Sequence, residues 1–419
     1  MESMVYHRTT CRLCGSGKVD RVLKMADCPP VDAYIPRSRL GERQELFPID
    51  LYLCRDCGHG QLLDVVSPKL LFGSYIYTTS SSPGLVEYFR RYADDVMERL
   101  QLKPGAWALD IGSNDGTLLR HFKARGLTVL GVDPAESIAR AATAAGTETL
   151  ADFFNSGVAA RIRQQRGTFD LVTANNVFAH SDDLGDMAKG VQMILAPGGV
   201  FVFEVSYLLD MIKGMIFDFI YHEHLSHHSV KPLQTFMARH GLHLFDVQKT
   251  PSKGGSLRCF AQLAGGPRPE ASTVAELIRE EARFGLYDLA TYQAYSKRIE
   301  EAGDALRRLM EQRVAEGKKV AGYGASATGT VVTYQFGIGP FMKFIIDDNP
   351  DRQERFSPGH HIPIVSSKSL DDERPDDVVI LVWRFADMIV ARNRAYLERG
   401  GRFIVPLPTL KIIDAASLK

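Results

Sequence analysis

The strand-to-helix turn ALDIGSNDGTLL (108–119) constrains this chain more than any other stretch. An apolar run reaches Asp110, turns at Gly112 and Gly116, and restarts as the helical pattern GTLLRHFKARG (116–126). That is how a buried strand feeds a helix through a glycine turn. Glycine carries no Cβ, so such a turn lets the backbone come close to a ligand. Strand patterns recur at AWALDI (106–111), TVLGVD (128–133), FDLVTAN (169–175) and GVFVFEV (199–205), with helical stretches such as SIARAATAAG (137–146) between them. This alternation, preceded by an amphipathic helix near 84–101, predicts an α/β fold with a doubly wound parallel sheet. HLFDVQKT (243–250) and SLRCFAQLAG (256–265) are joined only by PSKGG, which predicts an antiparallel hairpin at the edge of that sheet.

Three blocks follow from the pattern: 1–80, 81–266 and 267–419. At roughly 100–200 residues per domain, 419 residues suit two or three domains. The third block opens with a long charged helical region ending near Lys318, read as two helices. A second strand–helix series follows through KVAGYGASATGTVV (319–332), KFIIDDNP (343–350), DVVILVW (377–383) and RFIVPLPTL (402–410).

Charge excludes one class of partner. Lys+Arg and Asp+Glu both number 50, so there is no basic excess for binding nucleic acid. The longest apolar stretch, 199–221, is broken by Glu204, Asp210, Lys213 and Asp218 and predicts no membrane span. MESMVYHRTTCRLC does not resemble a signal peptide, so the cytoplasm is the expected compartment. There, six cysteines read as thiols or metal ligands rather than disulfides.

Cys11-x-x-Cys14 and Cys54-x-x-Cys57 are each followed by glycine, as CRLCG and CRDCG. Two such turns aim four thiolates at one point and predict a closed, structural Zn²⁺ site. Their separation exceeds the usual 15–20 or so residues of a zinc ribbon, so an inserted hairpin or loop is expected between them. Cys28 and Cys259 read as ordinary thiols.

The cofactor candidates lie in order at successive strand ends. Asp110, Gly112, Asn114 and Gly116 form the first turn, and its spacing is not the GxGxxG of a dinucleotide site. Asp133 ends the next strand, where a carboxylate can accept hydrogen bonds from both ribose hydroxyls. Asp152 is placed to meet an adenine amino group and Phe153 its face. Asn175, with Asn176, ends the fourth strand over the same crevice. Each alone reads as a turn or capping residue; together they favour an adenosine ligand.

Two segments beyond these strand ends carry acid–base groups. NNVFAHSDD contains His180, and the long insertion 206–228 contains Tyr221, His222, Glu223 and His224 in a row. Three readings of that run stand: a solvated polar loop, a metal site weakened because Ser226 replaces the second His of HExxH, and general acid–base catalysis with a His base oriented by Glu.

The DxGxxxG turn, the acidic end of strand two, LAPGGVFVFE (195–204) and the terminal hairpin together resemble the class I S-adenosylmethionine-dependent methyltransferases. On that resemblance Asp110 and Gly112 lie beside the methionine part, Asp133 holds the ribose, and Asp152 and Phe153 hold the adenine. Over its whole length the chain resembles the nucleotide-sugar C-methyltransferases. The marks are the cysteine pairs, SYIYTTSSS (74–82), the Glu-His after Tyr221, SKGGSLR (252–258), GYGASATGT (322–330) and DDNPDRQ (347–353). The resemblance implies a small N-terminal zinc module, a class I methyltransferase domain and a C-terminal Rossmann-like domain. The implied substrate is a nucleotide-linked 4-keto-6-deoxyhexose, with dTDP the expected nucleotide and C3 preferred to C5 as the methylated carbon.

The resemblance further implies His224 as the base, Glu223 as its orienting group, and Tyr77, Tyr221 and His180 as groups that stabilise an enolate or relay protons. Tyr75 reads as packing. The GxGxxA of Gly322, Gly324 and Ala327, with Asp347 ending the next strand, is a dinucleotide fingerprint when read alone. The resemblance assigns that turn to the nucleotide diphosphate of the sugar, with Asp347 and Asp348 weaker ligand candidates. The alternatives are O- or N-methylation of another small molecule, and an NAD-dependent oxidoreductase built on the second turn. A monomer is compatible with the sequence.

Overall fold

The computed structural model describes residues 4–72 and 78–418. Near the N-terminus, β1 (Val19–Leu23), β2 (Leu51–Cys54) and β3 (Gly60–Leu62) pair antiparallel. A fourth strand, Ser226–His227, joins β3 from far along the chain, with Ser226 opposite Gln61. The insertion that carries the acid–base run therefore completes the sheet that carries the cysteine pairs.

The central sheet contains β4 (Trp107–Ile111), β5 (Thr128–Val132), β6 (Thr149–Leu150), β7 (Phe169–Asn175), β8 (Leu195–Ser206), β9 (Leu242–Thr250) and β10 (Ser256–Leu263). Its order is β9-β10-β8-β7-β4-β5-β6. The strands β8, β7, β4, β5 and β6 run parallel. The β9–β10 hairpin is antiparallel and docks against β8 through β10. This is the α/β class I arrangement with its antiparallel edge hairpin.

The parallel strands are buried on both faces, which is why they read as apolar runs rather than alternating patterns. Ala108, Leu171, Val200 and Val202 pack on one face with Phe89, Tyr92, Ala93, Val96 and Leu100 of the helix Pro83–Leu100. Those helical positions repeat at the spacing of a single face. Leu109, Val172, Phe201 and Phe203 point the other way, toward Val158, Ile162, Leu184 and Val191. Truncating a wholly buried ring such as Phe201 to Ala would cost about 3–5 kcal/mol.

A second sheet contains β11 (Val320–Tyr323), β12 (Ile345–Ile346), β13 (Ile364–Val365), β14 (Asp377–Ile380), β15 (Arg402–Val405) and β16 (Lys411–Ile413), in the order β13-β12-β11-β14-β15-β16. It is parallel except at β16. The two helices expected before it are Ser272–Phe284 and Leu289–Ala315.

Cross-links tie the three sheets around one space. Ile35–Pro36 pairs antiparallel with Arg355–Phe356, and Thr330 Oγ1 donates to the Val31 carbonyl at 3.1 Å. Buried Asp218 accepts from Trp383 Nε1 at 3.0 Å and from Arg384 at 3.1 Å. No helix among the described residues is long and apolar enough to cross a membrane.

Candidate active site

The four cysteines converge. Cys11 and Cys57 sulfurs lie 3.6 Å apart, Cys14 and Cys54 sulfurs 3.5 Å apart, and all four lie within 4.8 Å of one another. Four sulfurs about 2.3 Å from a tetrahedral Zn²⁺ would be about 3.8 Å apart, so the donor set fits that ion. Gly15 and Gly58 both take positive φ, and their amides donate back to Cys11 and Cys54 carbonyls. Arg12 lies inside the first pair and is buried. Its guanidinium donates to Asp182 at 3.0 Å, the Leu225 carbonyl at 2.9 Å and the Leu62 carbonyl at 3.0 Å. The cysteine module is thus bonded directly to both segments that carry acid–base groups.

A cavity of about 580 Å³ opens beyond the carboxyl ends of β4, β5 and β7. This is where an open α/β sheet holds its ligand. Asp110, Gly112, Asn114, Asp133, Asp152, Phe153 and Asn175 line one side of it. Thr173 Oγ1 donates to Asp110 at 2.6 Å, and burial pushes the Asp110 carboxyl up to about 7. Gly112 has φ +68, and a Cβ there would lie 2.2 Å from Val177 Cγ2, so only glycine fits. The Asp133 carboxylate accepts the amides of Asn114 at 2.8 Å and Ala135 at 2.9 Å. Each of its oxygens keeps a second lone pair for a ligand hydroxyl.

Asn114 has φ +51 and accepts the Thr79 amide at 2.8 Å. Phe153 is 52% exposed although it stands in the cavity wall, an apolar face that a flat aromatic ligand would cover. Both amide atoms of Asn175 are buried with no hydrogen-bond partner among the described residues. Such an orphan is costly unless a ligand satisfies it. The residues therefore fit an adenosine-containing cofactor. Asp152 is shared with Arg161 at 2.5 Å.

Gly116 caps the helix Thr117–Ala124 with φ +75, and a Cβ there would meet Thr147 at 2.8 Å, so the turn requires glycine at this position.

His180, Tyr221, Glu223 and His224 line the same cavity. The Tyr221 and His224 ring centroids are 4.1 Å apart, and those of His180 and His224 are 5.2 Å apart. His224 Nδ1 lies 2.7 Å from the Phe219 carbonyl oxygen. A carbonyl only accepts, so Nδ1 carries the proton and Nε2 keeps the lone pair. Burial, with His180 and Lys253 adding to it, holds His224 neutral, well below the usual imidazole range. Burial pushes the Glu223 carboxyl up to about 8, reinforced by Asp32 and opposed by Lys253.

His222 turns away: its Nε2 lies 3.3 Å from the Phe47 carbonyl and its ring meets Phe47 edge-on. The run is a turn rather than a helix, so His224 and His228 do not share a helix face. Among the described residues, only the four cysteines form a group of three or more metal-ligating side chains. Tyr77 and Tyr75 lie outside the described residues. The end of their segment meets the cofactor turn, with the Thr79 amide on Asn114 and the Ser80 amide on Asp115 at 2.9 Å.

Six charged residues of the cavity carry no role in the sequence reading: Lys253, Arg352, Asp32, Asp182, Asp183 and Asp186. Lys253 lies in the PSKGG link, where a Gly-Gly pair beside a Lys at the sheet's carboxyl edge is the available signal. Arg352 follows the acidic end of β12. Asp32 comes from the loop between β1 and β2, and no local pattern distinguishes it. Ser326, Ala327 and Thr328, at the start of the helix Ala327–Gln335, complete the far wall. Asp347 accepts the Ala325 and Asn349 amides at 2.7 and 2.8 Å, so it braces the second glycine turn.

The sheet order, the glycine turn and the shared cavity define a class I methyltransferase fold, which binds S-adenosylmethionine. Three family models match in sequence: a zinc binding domain at 11–72, a methyltransferase domain at 85–247 and a C-methyltransferase C-terminal domain at 251–408. The C-methyltransferase NovU of Streptomyces niveus is 34% identical over 418 residues, covering 100% of both chains. The chain belongs to this C-methyltransferase family. The malonyl-[acyl-carrier protein] O-methyltransferase of Enterobacter lignolyticus is 31% identical over 118 residues, 28% of this chain and 45% of that protein. Among solved structures, magnesium protoporphyrin IX methyltransferase from Synechocystis PCC 6803 with bound SAM matches with TM-score 0.33 and 14% identity, covering 47% of this chain and 88% of that one.

Proposed function

We propose that the protein methylates a carbon of a nucleotide-linked 4-keto-6-deoxyhexose, with dTDP as the expected nucleotide and C3 preferred to C5. The observation that carries this reading is the His224–Phe219 bond, which leaves a lone-pair nitrogen on a neutral imidazole in the wall of the cofactor cavity. A neutral oxygen or nitrogen nucleophile already carries the lone pair that attacks the methyl group. A carbon nucleophile must first lose a proton.

S-adenosylmethionine supplies the electrophilic methyl group on sulfonium. His224 Nε2 takes the proton from the carbon next to the ketone, and the C–H electron pair becomes the enolate. With S-adenosylmethionine held by Asp133, Asp152, Phe153 and Asn175, that carbon would be placed to accept the methyl group. Glu223, protonated near neutral pH because its carboxyl is pushed up to about 8, orients the array as a hydrogen-bond donor. Tyr221, His180 and Tyr77 stabilise the enolate or relay the proton. Asp133 holds the ribose, Asp152 and Phe153 the adenine, and Asn175 the remaining polar edge.

The amides at Ser326–Thr328, with Arg352, face the sugar's diphosphate across the cavity. The four cysteines hold a structural Zn²⁺. The working units are 1–80, 81–266 and 267–419. Incubation with S-adenosylmethionine and a panel of nucleotide-4-ketosugars tests this reading. A product one methyl heavier with a new carbon–carbon bond is expected; methylation only of oxygen or nitrogen in any acceptor would refute it.

A further inference from the structure

Lys253 sits in the link between β9 and β10 with φ +54, in the left-handed region where a side chain with a Cβ is strained. Gly254 and Gly255 follow at φ +89 and +135, so three consecutive residues take positive φ. Neither glycine can be replaced without a clash. A Cβ at Gly254 would meet Ile216 at 2.6 Å, and one at Gly255 would meet Asp210 at 2.6 Å. Gly255 and Ser256 also bond back to the Ser252 carbonyl, at 2.9 and 3.0 Å. Strain held in place by surrounding packing is typical of a residue whose direction matters.

The side chain reaches the cavity, where it is open to solvent yet hemmed in by protein. Among the described residues its ammonium makes no hydrogen bond and no ion pair. Its charge acts on His180, His224 and Glu223, the acid–base groups themselves, and on Glu204 and Arg384. Lys253 shares the cavity wall with His180, Tyr221, Glu223 and His224, while Arg352 lies 3.7 Å from Asp347, which braces the second glycine turn.

We infer that the Lys253 ammonium receives the oxyanion formed when the substrate's ketone is enolised, as a charged hydrogen-bond donor that the turn directs into the cavity before substrate arrives. This rests on the carbon-acid reading above. As the C–H bond breaks, its proton goes to His224 and its electron pair passes through the new C=C to the ketone oxygen. That oxygen becomes negative between two cations, the imidazolium and Lys253. In the resting site burial holds both imidazoles neutral, and the same ammonium adds to that effect. A preorganised donor of this kind acts on the transition state more than on substrate binding.

The test uses the full-length enzyme and its Lys253→Met, Lys253→Arg and Lys253→Gly variants. Lys253→Gly removes the ammonium and relieves the φ strain, so it separates folding from chemistry. Deuterium uptake from D₂O next to the ketone is followed without the methyl donor, alongside methylation kcat and calorimetric binding of dTDP. The Met and Gly variants should lose exchange and kcat about 10²–10³-fold with dTDP affinity unchanged, and Arg should recover part of the loss. Wild-type exchange and kcat in the Met and Gly variants would overturn the assignment. So would a loss of dTDP affinity with kcat intact, which would make Lys253 a phosphate ligand. If the wild-type enzyme itself exchanges no deuterium, the carbon-acid reading fails and this inference falls with it. Exchange in wild type and unchanged exchange in the variants refutes the lysine role alone.

Discussion

His224 and Phe219 are joined by a 2.7 Å contact from Nδ1 to the backbone carbonyl, and their rings stack with centroids 5.6 Å apart. The imidazole is therefore fixed in one tautomer and one orientation. His224→Asn should keep the donor to Phe219 while removing the base. Methylation should fall by about 10²–10⁴-fold, the usual contribution of a general base, with S-adenosylhomocysteine binding unchanged by calorimetry. Near-wild-type turnover would favour O- or N-methylation.

Asp133 should govern cofactor affinity. Its carboxylate already accepts two backbone amides and has lone pairs left for a ribose. Asp133→Asn removes charge and one acceptor set. At about 1.5–3 kcal/mol per charged hydrogen bond, S-adenosylhomocysteine should bind roughly 10- to 100-fold more weakly.

Metal loss should be felt at a distance. Elemental analysis should find one zinc per chain, and Cys54→Ser should lower that content. Arg12 ties the first cysteine pair to Asp182 and Leu225, so chelation should lower both the unfolding temperature and kcat. Retention of full kcat after complete zinc removal would refute the coupling.

Much of this was legible in the chain, for definable reasons. Parallel strands buried on both faces leave continuous apolar runs, and glycine turns with acids at strand ends leave fixed spacings. The cysteine pairs, Asp110, Gly112, Asp133 and the 221–224 run all stand out in this way. Contacts made by remote segments leave no such trace. The pairing of Ser226–His227 with β3, the arrival of Asp32 and Arg352 in one cavity, and the aim of Lys253 depend on how three sheets meet. The turn at 221–224 also has no helical or strand period, so nothing local showed that His222 points to Phe47 while His224 points to the cavity. Gly116 obeys the motif's spacing and also caps the helix Thr117–Ala124.

Stability should fall with pH. Burial holds His222 and His228 down to about 4 and His180 to about 3. Unfolded histidines titrate near about 6.5. Above that value both states are neutral. Below it the unfolded chain binds protons that the native state refuses, so stability declines as pH drops from about 6.5 toward 4. Asp110 and Glu223, pushed up to about 7 and 8, take up native-state protons and offset part of this fall. The unfolding midpoint of His222→Gln should therefore decline less steeply than that of wild type, and equal slopes would contradict the buried neutral assignment.

In the proposed reaction the enzyme makes a carbon nucleophile by removing a proton. Incubating wild-type protein and His224→Asn with a nucleotide-4-ketosugar in D₂O, without methyl donor, measures that step alone. Deuterium should appear at the carbon next to the ketone with wild type and almost none with His224→Asn. Equal incorporation by both proteins, or none by wild type with a sugar it methylates, would contradict that reaction.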